Sequence, residues 1–427
     1  MPDKVVCGID IGSSKIAVLV ASVDESKSDI RIIGYNKSAS QGVKKGLIVD
    51  IDKVTAVLEE SLTKTERMSG RRIQNAYVVV GGPQISSMNS HGVVAVSDTE
   101  GEITEEDVYR VIDAAKAVSI PSHREMIEIL PREYIINGQD GISNPVGMSG
   151  IRLEVDTHLI TASSTSLKNI DKVLESTGVQ RLDFIYSGLA SAEAVLSDTE
   201  KELGVLVVDI GGGKTDLCMY VEGSVAYSSS LPVGAKNITN DIAIGLRISL
   251  ASAERLKLYL ARKYRNGYFL KNIKQKKDEK INLARAGVAD LQDEVSVKEI
   301  MNDIILPRYE EIFQLIGEEI AKSGYEKGIP SGIVLTGGGA LSPGIAEIGR
   351  KVLGFSIRTG YPQNIAGLID EVSSPEYSAL VGLILYIKEN IIKETVEFKN
   401  FNRMLKNFSF NNYLRRLSDL VRQFIPR

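Results

Sequence analysis

Residues 204–221 read GVLVVDIGGGKTDLCMYV, and they bring together the residue types that could hold a phosphate. The apolar run 205–208 is long enough for a buried strand, and Asp209 closes it. Gly211, Gly212 and Gly213 follow, and residues 215–221 alternate back into apolar positions. Glycine accepts positive φ and lets backbone N–H groups come close to a ligand. The pattern predicts strand, glycine turn and strand, with an acid at the lip. Its chemistry would be a phosphate cradle whose carboxylate holds Mg²⁺ through water. The run GGGKT suggests a P-loop, but that motif needs a glycine six positions before its lysine. Val208 stands there relative to Lys214, and the residues after Thr215 look like a strand where a P-loop continues as a helix.

The same design occurs at residues 5–20, VVCGIDIGSSKIAVLV. Asp10 matches Asp209, Gly12 matches Gly211, and Lys15 matches Lys214 within one position. Two such hairpins suggest an internal duplication. A third glycine turn lies at residues 333–340, IVLTGGGA, with a helix-like run from Gly344. The three turns in this order resemble the phosphate-1, phosphate-2 and adenosine motifs of the actin/Hsp70/hexokinase ATPase superfamily. The resemblance implies ATP and Mg²⁺ between two halves. Gly12, Ser13, Ser14 and Lys15 would then enclose the phosphates with Gly211, Gly212, Gly213, Lys214 and Thr215. Gly337, Gly338 and Gly339 would approach the adenosine, and Asp10 and Asp209 would hold the metal through its waters. In SAERLK, residues 252–257, Glu254 and Lys257 share one helical face. On spacing alone they form an exposed ion pair. The resemblance to the superfamily's ERxK helix implies contacts to ribose and adenine.

The elements that must position these turns occupy a chain of 427 residues, enough for two to four lobes. Apolar content of 43% and charged content of 25% fit a soluble globular protein. A net charge of −4 gives no sign of nucleic-acid binding. Cys7 and Cys218 each fall in a strand of a phosphate hairpin, so reduced buried thiols and a cytosolic compartment are expected. His91, His123 and His158 are scattered, and no Cys/His spacing suggests zinc. No signal peptide is expected before the first strand. The longest apolar run, 377–387, is too short to span a bilayer.

Taken in order, residues 31–35 read as strand, 51–68 as helix and 76–80 as strand. Residues 85–96 form a weakly alternating strand. Thr104 and Asp107 then make a capping box before a helix with Val108, Val111, Ile112 and Ala115 on one face. Residues 127–136 and 151–161 complete a small strand–helix–strand–strand insert. The segment 129–161, ILPREYIINGQDGISNPVGMSGIRLEVDTHLIT, resembles the NPVGMSG region of the FtsA family of bacterial cell-division proteins. The likeness runs over essentially the whole chain. It implies an α/β, duplicated actin-like (ribonuclease H-like) fold with an inserted FtsA-type 1C subdomain and a C-terminal amphipathic helix. The subdomains expected are 1A at 1–83, 1C at 84–162 and 1A again at 163–195. They continue as 2A at 196–234, 2B at 235–305, 2A at 306–360 and a return to 1A at 361–389. A linker at 390–411 and a membrane-targeting helix at 412–427 end the sequence.

Hydrolytic relatives carry a Glu or Gln that positions water near the start of the helix before the second hairpin. Here that position falls at Ser187 or Gly188, neither of which can do so, and Glu193 lies two turns along. Weak or absent turnover is therefore expected. Residues 295–313 read as a helix interrupted at Pro307, with Lys298 and Arg308 on its surface. The family resemblance makes these two the basic candidates for the acidic tail of the tubulin-like protein FtsZ. The stretch NYLRRLSDLVRQFIPR places Leu414, Leu417, Leu420, Val421, Phe424 and Ile425 on one stripe, with Arg415 and Arg416 beside it. With the resemblance, this reads as an interfacial helix on anionic membrane lipids. The implied protein polymerises head to tail and tethers FtsZ to the inner face of the cytoplasmic membrane at the septum. Late division proteins would be recruited through 1C. The rival reading is a kinase or chaperone-type ATPase on the same fold.

Overall fold

A computed structural model describes residues 4–24, 29–264, 279–282 and 294–389. The first sheet has the strand order Gln180–Tyr186, Asn75–Val80, Lys4–Ile11, Lys15–Asp24, Asp29–Ala39, with Ala366–Gly367 at the edge. The second has Ile357–Thr359, Ile333–Thr336, Val205–Ile210, Thr215–Val221, Ser224–Leu231. Read this way, the sheets superpose in logic. An antiparallel hairpin continues into a third strand on one side, and two parallel strands flank it on the other. The expected duplication is thus present in topology. The hairpin turns bond alike, Gly12 N–H to Lys15 O at 3.0 Å and Gly211 N–H to Lys214 O at 2.9 Å. Lys15 and Lys214 therefore hold the same position, without the one-residue uncertainty.

Val205 to Val208 are all fully buried, as expected for a central strand covered on both faces. The helix Ile51–Ser69 begins where the Asp50 carboxylate accepts from Lys53 N–H, and it ends at Gly70 in the left-handed region. Its buried Val54, Val57, Leu58 and Leu62 pack one face onto the first sheet. Residues 378–389 form another helix, whose Leu380, Val381, Leu383 and Ile384 return the chain to that same core. Cys7 and Cys218 are free and buried.

The insert is a four-stranded sheet in the order Ser86–Ala95, Arg152–Ser163, Arg124–Ile136, Gln139–Ile142, with the helix Glu105–Lys116 on it. The capping box forms as read, and Val111 and Ala115 are buried while Val108 and Ile112 are partly so. The strand Gln139–Ile142 is an addition, since the sequence suggested no element between residues 136 and 151. At the other end of the chain, Pro307 does not interrupt a helix. It sits in the first turn of the helix Leu306–Ser323, directly after a π-helical stretch, Ile300–Ile305. Proline lacks an N–H, and the first helical turn leaves that donor unused.

The insert also bonds to the second half. Ser87 Oγ donates to Ser228 O at 2.6 Å, and Arg132 to the Tyr325 hydroxyl at 3.2 Å. His158, buried, lies between Asn89 Oδ1 at 2.6 Å and Ser228 Oγ at 3.0 Å. Burial, aided by the positive charge of Arg132, pushes its pKa down to about 3. The folded chain thus holds His158 neutral where the unfolded chain would protonate it. Its contribution to stability is complete above the ordinary value and is lost as pH falls below it. Stability of the parent relative to His158→Gln is expected to shrink by about 1.4 kcal/mol per pH unit below ~6.5. Urea melts at several pH values check this, and parallel curves for the two proteins would contradict it.

Candidate functional site

The two glycine turns meet at the bottom of a cleft between the halves. A Cβ placed on Gly212 would lie 1.9 Å from Ser14 Oγ, and one on Gly213 would lie 2.7 Å from Ser13 Oγ. Only backbone can pass there. The Gly211–Gly213 turn is further pinned by Ala235 N–H to Gly211 O at 2.9 Å and Lys236 N–H to Gly212 O at 2.8 Å. Lys236 Nζ crosses to Ser13 O at 2.7 Å, and Gly46 N–H donates to Ser13 Oγ at 2.9 Å. The third turn closes the upper wall. Gly337 has φ +80°, and a Cβ there would stand 2.2 Å from Asp209 Oδ1.

Together the turns line a cavity of about 970 Å³. Asp10, Gly12, Ser13, Ser14, Lys15, Asp209, Gly211, Gly212, Gly213 and Lys214 face it from below, as the sequence suggested. Gly337, Gly338, Gly339, Glu254 and Lys257 face it from the second half. Glu254 and Lys257 do form an ion pair, at 2.7 Å, but not the exposed one their spacing predicts: Lys257 is buried, and the pair lies on the cavity wall. Thr215 is the exception. It is buried in the core and its hydroxyl donates to Val233 O at 2.8 Å, because strand alternation turns it away from the turn it follows.

Asp209 is 7% exposed, and Ser191 Oγ donates to its Oδ2 at 2.6 Å. Burial, reinforced by Asp216, raises its pKa to about 6. Burial also raises Asp10, while Lys15 and Lys214 oppose the rise. These two carboxylates are oxygen donors of the type Mg²⁺ takes through water. They do not stand alone, since Lys214 Nζ lies 2.5 Å from Asp216 Oδ2 in the same cluster. Burial works against the Lys214 ammonium. The carboxylates of Asp216, Asp10 and Asp209 outweigh it and hold its pKa above the usual lysine value.

Sequence reasoning missed Asp216. It is buried and accepts from Gly82 N–H at 3.0 Å, Ser230 Oγ at 2.5 Å and Ser187 Oγ at 2.8 Å, besides Lys214. Its signal was available, as an acid inside an otherwise apolar strand. Lys37 and Glu376 were also missed. They pair at 2.9 Å at the cleft mouth, where Lys15 reaches Glu376 and lies 4.0 Å from the Tyr377 ring. Arg262 lines the cavity from the helix of Glu254 and Lys257, about one turn on from Lys257.

Ser187 lines the cavity, but its hydroxyl is committed to Asp216. Gly188 has no room for a side chain, since a Cβ would meet the Tyr186 ring at 2.6 Å. Glu193 faces elsewhere, paired to Lys201 at 2.8 Å and accepting from the Tyr220 hydroxyl at 3.1 Å. Outside the cleft, Arg308 is not a loose surface cation. Asp241 clamps it through two bonds, at 2.6 and 2.9 Å, and Glu311 is its third partner. Lys298 is exposed. Among the described residues no His/Cys/Asp/Glu group could hold a metal by itself, and no helix is long and apolar enough to cross a membrane. Leu414, Arg415, Arg416, Leu417, Leu420, Val421, Phe424 and Ile425 lie outside the described residues.

Two duplicated halves around a cleft walled by three glycine turns define the actin-like ATPase fold. Solved structures agree on that fold. The PilM–PilN type IV pilus biogenesis complex aligns with a TM-score of 0.61 at 15% identity, covering 89% of this chain and 98% of that one. MreB5 of Spiroplasma citri bound to ADP aligns at 0.50 with 14% identity, covering 91% and 98%. Residues 82–161 match the family described as "SHS2 domain inserted in FTSA", and residues 206–382 match "Cell division protein FtsA". Cell division protein FtsA of Pseudomonas aeruginosa is 37% identical over 90% of this chain and 89% of its own length. That of Escherichia coli (strain K12) is 34% identical over 98% of each. The chain belongs to the FtsA family of cell-division proteins.

Gly338 offers a clean test of the cavity, because a Cβ there meets only Glu376 Cβ at an ordinary 3.7 Å. Gly338→Phe is expected to melt within about 3 °C of the parent while weakening a fluorescent ATP analogue at least ~10-fold. Unchanged affinity with an intact fold would place the ligand elsewhere.

Proposed function

We propose that the chain binds ATP in the cleft, polymerises head to tail on the membrane, and tethers FtsZ filaments to the inner face of the cytoplasmic membrane. The observation that carries this reading is the convergence of three glycine turns on one cavity in a chain of the FtsA family. The phosphates lie between Gly12–Ser14 and Gly211–Gly213, and the adenosine lies toward Gly337–Gly339. Mg²⁺ is held through water by Asp10 and Asp209. That MreB5 structures carry ADP and AMPPNP supports a nucleotide in the corresponding place.

Turnover is slow. The position from which a Glu or Gln would orient water is Ser187 or Gly188; the Ser187 hydroxyl is already committed to Asp216 and Gly188 carries no side chain, so neither polarises an attacking water. Nucleotide then serves assembly more than chemistry. A heterologous contact that does not close makes a filament, and the insert, 84–162, meets the next subunit and the later division proteins. The subdomain boundaries given above from sequence belong to this same proposal.

The FtsZ tail docks on the small outer subdomain at 235–305, near the helix Leu306–Ser323. Lys298 is an exposed cation there, whereas Arg308 contributes by holding Asp241 in place. Membrane attachment falls to the stripe Leu414, Leu417, Leu420, Val421, Phe424 and Ile425, with Arg415 and Arg416 at the anionic surface. One short helix holds a monomer weakly, and a filament multiplies the anchors, so attachment and polymerisation are coupled. The experiment is liposome flotation with a labelled FtsZ-tail peptide. The full chain is expected to float with anionic vesicles and carry the peptide. A chain ending at residue 411 is expected to stay soluble while still binding peptide and nucleotide. If the shortened chain floats equally well, the anchor has been misplaced.

A further inference from the structure

The two equivalent lysines of the duplicated hairpins are used differently. Lys15 turns to the cleft mouth, toward Glu376 and the Tyr377 ring. Lys214 turns down. Its stem passes Gly46 and Gly82, where added Cβ atoms would stand 3.1 and 3.6 Å from Lys214 Cδ. Its Nζ ends so close to Gly81 that a Cβ there would lie 2.1 Å away. Three glycines therefore leave the slot that this side chain fills, and the side chain is only 14% exposed.

At the end of the slot the ammonium meets Asp216 at 2.5 Å. Asp216 cannot turn aside, because Gly82 N–H, Ser230 and Ser187 fill its other acceptor sites. Asp10 and Asp209 complete the charged floor, and both line the same cavity as Lys214. An ammonium has three N–H donors. One is spent on Asp216, which leaves donors for the floor and for a phosphate oxygen arriving between the two glycine turns. A compact point charge on a lysine is a common phosphate ligand.

We propose that Lys214 is a resident cation of the phosphate floor, sharing the neutralisation of Asp10, Asp209 and Asp216 that a divalent metal would otherwise supply alone. The cleft consequently takes a nucleotide's phosphates with little dependence on Mg²⁺. This rests on the nucleotide reading of the cleft. It differs from that reading in assigning the positive charge to a side chain fixed in the fold. Without Lys214, the buried carboxylates of Asp209 and Asp216 would face each other beside Asp10, which keeps only Lys15 as a nearby cation, and a divalent ion would have to supply the missing charge.

The test uses the full chain, its Lys214→Met variant and the charge-preserving Lys214→Arg. Calorimetry with AMPPNP is run in excess Mg²⁺ and in EDTA, and Mn²⁺ binding to the nucleotide-free proteins is followed by electron paramagnetic resonance. For the parent, chelation is expected to weaken AMPPNP by less than ~5-fold, and for Lys214→Met by more than ~50-fold. Lys214→Arg is expected to track the parent. Added Mn²⁺ should remain free with the parent and be retained by Lys214→Met. A parent that binds AMPPNP only with Mg²⁺ overturns this inference and leaves the nucleotide reading standing. So does a Met variant with the parent's metal dependence. A parent that binds no AMPPNP under either condition overturns the nucleotide reading instead, and the Mn²⁺ spectra then decide the role of Lys214. Should Lys214→Met not fold, the parent and Lys214→Arg compared in Mg²⁺ and EDTA still decide the matter.

Discussion

The structure depends on one close approach, where the glycine backbone of the turn Gly211–Gly213 meets Ser13 and Ser14 across the cleft. Gly212 and Gly213 are glycine because Ser14 and Ser13 occupy the space a side chain would need. That contact fixes the distance between two sheets of duplicated topology, and hence the size and position of the cavity above it. Each turn is the end of a hairpin whose strands are largely buried, the second hairpin's on both faces. The packing energy of two cores therefore holds the two turns in place, with bare glycine backbone on one side and the small side chains of Ser13 and Ser14 on the other.

The acids below the turns follow from the same geometry. A strand alternates its side chains, so Asp209 and the preceding apolar residues share one buried strand while the turn exposes the carboxylate to the cleft. Asp216 lies directly opposite Asp209 in the antiparallel register. The pairing would set two buried like charges side by side without compensation. The Lys214 ammonium, Ser191, Ser187, Ser230 and the Gly82 N–H supply it. The polar floor is thus a satisfied network and not a loose acid cluster.

The hairpins, the third turn and the insert were legible in the sequence because each is local. A run of apolar residues, a glycine cluster or the Thr104–Asp107 box declares itself within a few positions. What was not legible depends on contacts far apart in the chain. Glu376 meets Lys15 and Lys37 only because the helix 378–389 returns to the first core. Arg308 reads as a basic surface residue until the fold brings Asp241 to it. Thr215 reads as part of the phosphate turn because it adjoins the glycines, but the first strand position already points into the core. Pro307 reads as a break, whereas the π-helical stretch before it lets the helix start there. The glycines of 137–142 hid a short strand, since glycine carries no side-chain pattern.

The central claim is that the cavity between the duplicated halves is a nucleotide site built by the three glycine turns. A crystal structure of the chain grown with AMPPNP tests it most directly. The account predicts phosphate density between Gly12–Ser14 and Gly211–Gly213, within reach of the Lys214 ammonium, and the adenine beside Gly337–Gly339. A structure in which this cavity stays empty while the nucleotide sits elsewhere, or with the phosphates at the Gly337–Gly339 end, would contradict it.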